Sequence, residues 1–270
     1  MSAAVPRRGI RRGVSLLPSL FTLANLFCGW SCIVYAMRGD LTLAAPFIGV
    51  AMVLDMLDGR IARMTGTASE FGVQLDSLAD VISFGMAPAV LAYAWGLAPL
   101  GRLGWAAGFL FVTGAALRLA RFNIQKNTDK RFFVGLASPA AAAIVASTVF
   151  YYPDGLHSRP QALLGVVLVV VPALLMVSTV RFRSFKTIDL GARRRYQILI
   201  ALAAVLALIV TFPHEMLLAM AYGYLASGFV DLALHKFRRR DHESIESSDA
   251  AGSKVIDDRS SEASASGAKP

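Results

Sequence analysis

Four aspartates dominate the chemistry available to this chain. They lie in Asp55-Met-Leu-Asp58-Gly59-Arg-Ile-Ala62-Arg63 and, after eight further residues, Gly72-Val-Gln-Leu-Asp76-Ser-Leu-Ala-Asp80. An apolar run, 41–54, leads into the first pair, and another, 81–97, follows the last. Carboxylates beside bilayer-length apolar runs are costly unless paired or bound to a cation, so they point to a functional site. Positions three and four apart share a helix face. Asp55, Asp58, Gly59, Ala62 and Arg63 therefore form one stripe, and Gly72, Asp76 and Asp80 a second on the next helix. Thr67-Ala-Ser-Glu70 fits a capping box that starts the second helix near Ala68. Two helices joined by a short turn then direct four hard oxygen donors into one cleft, a set suited to Mg²⁺ or Mn²⁺. Two such ions would neutralise the mutual repulsion and form a clamp for phosphoryl displacement. Gly59, Ala62 and Gly72 leave room for a phosphorylated ligand near the backbone, and Arg63 offers a forked donor to phosphate. A salt-bridge network between the helices is the competing reading, but only Arg60 and Arg63 accompany the four aspartates.

The pattern Asp-x-x-Asp-Gly-x-x-Ala-Arg, eight residues, Gly-x-x-x-Asp-x-x-x-Asp resembles the signature of the CDP-alcohol phosphatidyltransferases, with every fixed position present. The resemblance implies transfer of a phosphatidyl group from CDP-diacylglycerol to an alcohol, with CMP released. It implies that Asp55, Asp58, Asp76 and Asp80 bind metal, that Asp80 also takes the proton of the acceptor hydroxyl, and that Asp55, Gly59, Ala62, Arg63 and Gly72 line the CDP pocket. It further implies Mg²⁺ or Mn²⁺, as two ions, and a homodimer.

The elements that must position these residues are membrane helices. The chain has 270 residues, 56% of them hydrophobic, and its apolar runs approach the ~20 residues that a bilayer span needs. About eight spans are expected: Leu16–Ala36, Leu41–Leu57, Leu75–Trp95, Leu103–Phe122, Leu136–Tyr152, Ala162–Val180, Tyr196–Phe212 and Met216–Leu234. The expectation is an all-α polytopic membrane protein with a basic N-terminal segment, 1–15, a transmembrane catalytic domain, 16–238, and a disordered tail, 239–270. That tail is rich in Ser, Ala, Asp and Glu and cannot bury a core.

Charge orients the spans. Arginines and lysines concentrate in 7–12, 60–63, 118–131, 181–195 and 236–240, whereas the alternate connections carry Arg38, Arg102 and Arg159. The positive-inside rule puts both termini and the aspartate cleft on the cytoplasmic side of a bacterial-type inner membrane. Membrane orientation and anionic lipid thus account for the net charge of +9. No nucleic-acid motif is present. The first span is too long for a signal peptide and lacks its small-residue cleavage site.

A second tier of likeness narrows the family. Leu17-Pro-Ser-Leu-Phe-Thr22-Leu-Ala-Asn25-Leu-Phe-Cys28-Gly29, the Leu117–Asn123 and Phe133–Pro139 stretches, and Met176–Lys186 resemble bacterial phosphatidylserine synthases. This favours L-serine as acceptor. Where that group often has proline, Ala137 stands here. Thr22 and Asn25 lie on one helix face, placed either to reach the nucleotide or to form interhelical hydrogen bonds. Arg118 and Arg121 share a face at the inner membrane edge. They suit snorkelling to headgroups or an anion site beside the cleft. Candidate acceptor-binding residues are Arg118, Arg121, Asn123, Ser138, Arg181 and Arg183. Cys28 and Cys32 have no zinc or redox spacing and read as small buried hydrophobes. The histidines are isolated and read neither as bases nor as ligands. Glycerol 3-phosphate or an inositol phosphate is the alternative acceptor. From another class, a cation transporter also gathers intramembrane aspartates, but it has no use for Gly59, Ala62, Arg63 and Gly72 on the same faces, and no inverted repeat is seen.

Overall fold

The structure is a computed structural model describing residues 16–66, 69–124, 133–178, 181–182, 200, 203–204 and 207–226. The chain divides into two compact units, Met1–Leu225 and Ala226–Pro270. The long helices and the aspartates belong to the first.

The described residues are almost entirely helical. α1 spans Leu16–Met37 and α2 Leu41–Thr65. Asp40 caps α2, its side chain accepting from Leu43 N at 3.2 Å. α2 does not stop at the apolar boundary near Leu57. It runs through both aspartates and closes at Gly66, whose left-handed φ of 62° lets its N–H reach Ala62 O. α3 then spans Glu70–Leu100. Its N-cap is Ser69, whose Oγ accepts from Gly72 N at 3.0 Å. The expected start near Ala68 is thus moved to Glu70, and Thr67 lies outside the described residues.

α3 is not uniformly α-helical. Val81–Met86 is π-helical, with Ala87 N–H bonded to Ile82 O, five residues back. Pro88 follows immediately. It cannot donate, and its ring crowds the carbonyl of the preceding turn, so the wider turn relieves the conflict. A second irregular stretch, Tyr93–Leu97, ends in a kink at Gly96. α4 spans Arg102–Ile124, α5 Ser138–Tyr151 and α6 Arg159–Val177. Ser158 and Gln161 form a reciprocal capping box at the start of α6. A helical segment, 213–226, is α7. The sole sheet among the described residues pairs β1 (Phe133–Val134) with β2 (Arg181–Phe182), antiparallel. It fastens the entry to α5 beside the end of α6, where Leu136 N donates to Leu175 O at 3.0 Å. Gly135 makes this turn at φ 88°, and a Cβ there would stand 2.6 Å from Met176 O.

Among the described residues, five helices are long and apolar enough to cross a membrane: Ser19–Met37, Leu41–Met64, Glu70–Leu100, Arg102–Ile124 and Arg159–Val177. This is fewer than the eight expected. α5, with 14 residues, extends only ~21 Å at 1.5 Å per residue, short of a ~30 Å hydrocarbon core. Pro139 starts it late, and Tyr152-Pro153 ends it early. Of the expected seventh span, residues 196–199, 201–202 and 205–206 lie outside the described residues. The expected eighth is described only to residue 226.

Packing is inverted relative to a water-soluble bundle. The interior is built from Ala44, Ala45, Ala87, Ala115, Ala141 and Ala142 around Ile48, Phe84, Leu91 and Phe111, all buried. Large apolar side chains such as Leu20, Phe27, Val53, Phe109 and Leu164 are exposed on the helix surfaces. An apolar exterior of this extent needs hydrocarbon around it, so the protein is an integral membrane protein. Cys28 and Cys32 are free and buried. α1 packs along α2 and also against α3, which lies at the centre and touches every other long helix.

Candidate active site

Three of the four aspartates lie together. Carboxylate oxygens of Asp55 on α2 and of Asp76 and Asp80 on α3 all lie within 4.8 Å of one another. Opposite ligands of a Mg²⁺ ion at ~2.1 Å each stand roughly 4 Å apart, so the donor set fits a hard divalent cation. Asp58, one turn from Asp55, is buried and stands outside this trio. Its Oδ2 accepts from Thr22 Oγ1 of α1 at 2.6 Å. Asp80 Oδ1 accepts from Asn25 Nδ2 of α1 at 3.3 Å. Of the two roles open to Thr22 and Asn25, the structure shows interhelical hydrogen bonds, and their partners are the aspartates themselves.

The small residues sit where the helix faces require. Gly59 and Ala62 are half-buried, and the exposed Arg63 brings its guanidinium back over Gly59. A Cβ on Gly59 would meet the Arg63 Nη atoms at 3.8 and 3.9 Å, ordinary contact, so the neighbouring protein does not demand glycine there. Gly72 differs: a Cβ would stand 3.1 Å from Ser69 Oγ. The helix cap therefore uses part of the room that the spacing assigned to a ligand.

The acceptor candidates separate. Arg118 Nη1, on α4, donates to Ser138 Oγ at 3.4 Å. Its Nε is buried with no hydrogen-bond partner among the described residues. Asn123 Nδ2 donates to Ser77 Oγ at 2.9 Å, tying the end of α4 to the residue after Asp76. Arg121 shows no such contact among the described residues. Arg181 lies in β2, its backbone paired with Val134, four residues before Ser138. Arg183 lies outside the described residues. Tyr224 of α7 is a residue that the motifs did not indicate; it interacts electrostatically with Arg118. α7 is held by Tyr222 Oη paired with Thr148 Oγ1 at 3.0 Å and by His214 stacked on Phe150 with centroids 4.0 Å apart.

The site thus gathers carboxylates from α2 and α3, and the Arg118–Ser138 pair links α4 to α5. Such an arrangement can hold a divalent cation, neutralise phosphate charge and receive an anionic group alongside. Known proteins agree with this chemistry. The chain is 38% identical over 221 residues to a CDP-diacylglycerol–serine O-phosphatidyltransferase of Helicobacter pylori, covering 80% of this chain and 90% of the relative. It is 31% identical over 237 residues to the Mycobacterium leprae protein of the same name, covering 84% and 78%. An archaetidylserine synthase of Methanothermobacter thermautotrophicus is 34% identical over 168 residues, covering 62% and 69%. The CDP-alcohol phosphatidyltransferase family model matches residues 15–180, the stretch that contains all four aspartates and Arg118. With that match, the motif and the converging carboxylates, the chain belongs to the CDP-alcohol phosphatidyltransferase family.

Proposed function

We propose that this protein transfers the phosphatidyl group of CDP-diacylglycerol to L-serine, forming phosphatidylserine and CMP. The observation that carries the reading is the convergence of the Asp55, Asp76 and Asp80 carboxylates, all within 4.8 Å of one another, in a chain of this family. The names of the relatives support serine as acceptor.

In this reaction the serine hydroxyl oxygen forms a bond to the phosphorus bearing the diacylglycerol. The bond from that phosphorus to the CMP oxygen breaks, and CMP leaves with the electron pair. Asp80 accepts the hydroxyl proton. Asp55, Asp58, Asp76 and Asp80 would hold Mg²⁺ or Mn²⁺, as two ions, which when bound supply charge neutralisation to the diphosphate and the leaving group. Gly59, Ala62, Arg63 and Gly72 line the CDP side. Arg118 meets the serine carboxylate with its planar fork. The lipid tails enter sideways between helices and stay in hydrocarbon.

The topology that accompanies this reading has both termini and the site cytoplasmic in a bacterial-type inner membrane. The basic segments at 60–63, 118–131 and 181–195 support that orientation. The test supplies purified protein in vesicles with CDP-diacylglycerol and, separately, L-serine, glycerol 3-phosphate or inositol phosphate, and measures CMP release. Release with serine alone is expected. Rapid release with glycerol 3-phosphate and none with serine would overturn the acceptor and leave phosphatidyl transfer standing.

A further inference from the structure

We infer that Thr22 and Asn25 of α1 are positioning residues that fix the Asp58 and Asp80 carboxylates in the orientation that binds the divalent cation. The inference rests on reading the aspartate cluster as a cation site.

Three observations carry it. First, both donors are enclosed. Thr22 is 3% exposed and Asn25 0%, so neither serves water or lipid headgroups. Each donates to one carboxylate oxygen, Asp58 Oδ2 at 2.6 Å and Asp80 Oδ1 at 3.3 Å. A carboxylate turns freely about its last torsion, and a donor on one oxygen fixes its plane and leaves the other oxygen to a further partner. Asp58 lies on α2 and Asp80 on α3, so a single rigid helix sets both against one reference.

Second, the arrangement is costly without a use for it. Asn25 Oδ1 is buried with no hydrogen-bond partner among the described residues. A leucine has the same side-chain branching and number of heavy atoms without enclosing an unmet carbonyl oxygen. What the amide contributes in exchange is the donor to Asp80.

Third, the backbone is built to bring α1 this close. Thr22, Asn25 and Gly29 form one stripe at the i, i+3, i+7 spacing. Ser83 Oγ of α3 donates to Asn25 O at 3.0 Å. A Cβ on Gly29 would stand 2.5 Å from that Oγ. Ser83 is the third residue of the π-helical stretch that begins directly after Asp80. The polar stripe of α1 therefore lies against the segment that carries Asp80. Holding partners behind cation ligands are known to matter to metal affinity by ~10–100-fold.

The test measures Mn²⁺ binding to the full chain in detergent, by loss of the free-ion electron paramagnetic resonance signal. It compares wild type with Thr22→Val, Thr22→Ser, Asn25→Leu, Asp58→Asn and the Thr22→Val/Asp58→Asn double variant. Thr22→Val and Asn25→Leu should each weaken Mn²⁺ binding ~10–100-fold. Thr22→Ser, which keeps the donor, should restore it. The double variant should bind no more weakly than Asp58→Asn alone, because the carboxylate that Thr22 orients is then gone. Wild-type affinity in both Thr22→Val and Asn25→Leu overturns the inference. So does an equal further loss from Thr22→Val in the Asp58→Asn background. If Thr22→Val does not fold, Asn25→Leu against wild type decides by the same criterion. Wild-type protein that releases CMP yet binds no Mn²⁺ overturns the inference while phosphatidyl transfer stands. Protein that binds Mn²⁺ in a Thr22-dependent manner yet releases no CMP with any acceptor overturns the transfer reading alone.

Discussion

Gly29→Ala should uncouple the site from its scaffold. The added Cβ would stand 2.5 Å from Ser83 Oγ, 2.8 Å from Ser83 Cα and 3.1 Å from Ser83 Cβ. The Oγ can rotate away, but the Cα is backbone and cannot. Carbon atoms settle at ~3.5–4.0 Å, so α1 and α3 must part by roughly 1 Å at this level. Asn25 lies one turn away on the same face and moves with it. Its 3.3 Å bond to Asp80 then opens to about 4 Å, beyond hydrogen-bond range. Overpacking of this kind costs ~1–3 kcal/mol of stability, and a 1 Å misplacement at a reacting centre costs as much as ~10²-fold in rate. The assay pairs thermal unfolding in detergent with CMP release from CDP-diacylglycerol and serine. Gly49→Ala is the control, since no heavy atom lies within 4 Å of the new Cβ and alanine is the better helix former by ~1 kcal/mol. Wild-type turnover in Gly29→Ala, or an equal loss in Gly49→Ala, would refute the reasoning.

Three further outcomes are expected. Exhaustive chelation with EDTA should abolish CMP release, and Mg²⁺ or Mn²⁺ should restore it; full activity after chelation would remove the cation from the reaction. Asp80→Asn should lower turnover by ~10²-fold or more while CDP-diacylglycerol still binds, whereas Asp58→Asn should weaken cation and nucleotide binding together. Equal effects on binding would make Asp80 a ligand only. Arg118→Ala should raise KM for serine by roughly 10–100-fold, the worth of a charged hydrogen bond, with KM for CDP-diacylglycerol little changed. Arg118→Lys should restore only part, since a point charge does not reproduce the fork, and Arg121→Ala should have the smaller effect. An unchanged serine KM in Arg118→Ala would place the carboxylate anchor elsewhere.

Much of the site was legible because helical spacing converts directly into a shared face. Asp55, Asp76 and Asp80 meet because two amphipathic stripes, separated by a short turn, can face one another in few ways. The position of Asp58 was less legible. Whether it joins the trio depends on the rotation of α2 against α1, and Thr22 settles that rotation through a contact 36 residues away in sequence. The pairings of Asn123 with Ser77 and of Arg118 with Ser138 are equally non-local. In the fold, apolar runs located the long helices, but their ends followed other rules. α2 outlasts its apolar stretch, and one of its aspartates, Asp58, is met there by Thr22 of α1. α3 starts at the Ser69 cap instead of the earlier threonine. α5 is cut short by the two prolines that bracket it. The π-helical turn after Asp80 leaves no periodic trace, since one widened turn merely rotates the residues beyond it.

The brevity of α5 has a consequence for depth. Trp95 Nε1 donates to Tyr152 O at 2.6 Å, which levels the far end of α5 with Trp95 of α3. Counting back from there at 1.5 Å per residue, Asp80 lies ~22 Å up α3 and Ser138 ~21 Å up α5. The carboxylate and the start of the short helix therefore share one stratum. α3 continues ten residues past Asp80 to Glu70, another ~15 Å. The chemistry is sunk below the rim of its own longest helix. A water-soluble acceptor must descend into that well and shed solvent to meet the lipid phosphate. Bulk then counts against an acceptor before any specific contact is made, and a compact amino acid has the advantage over a sugar phosphate.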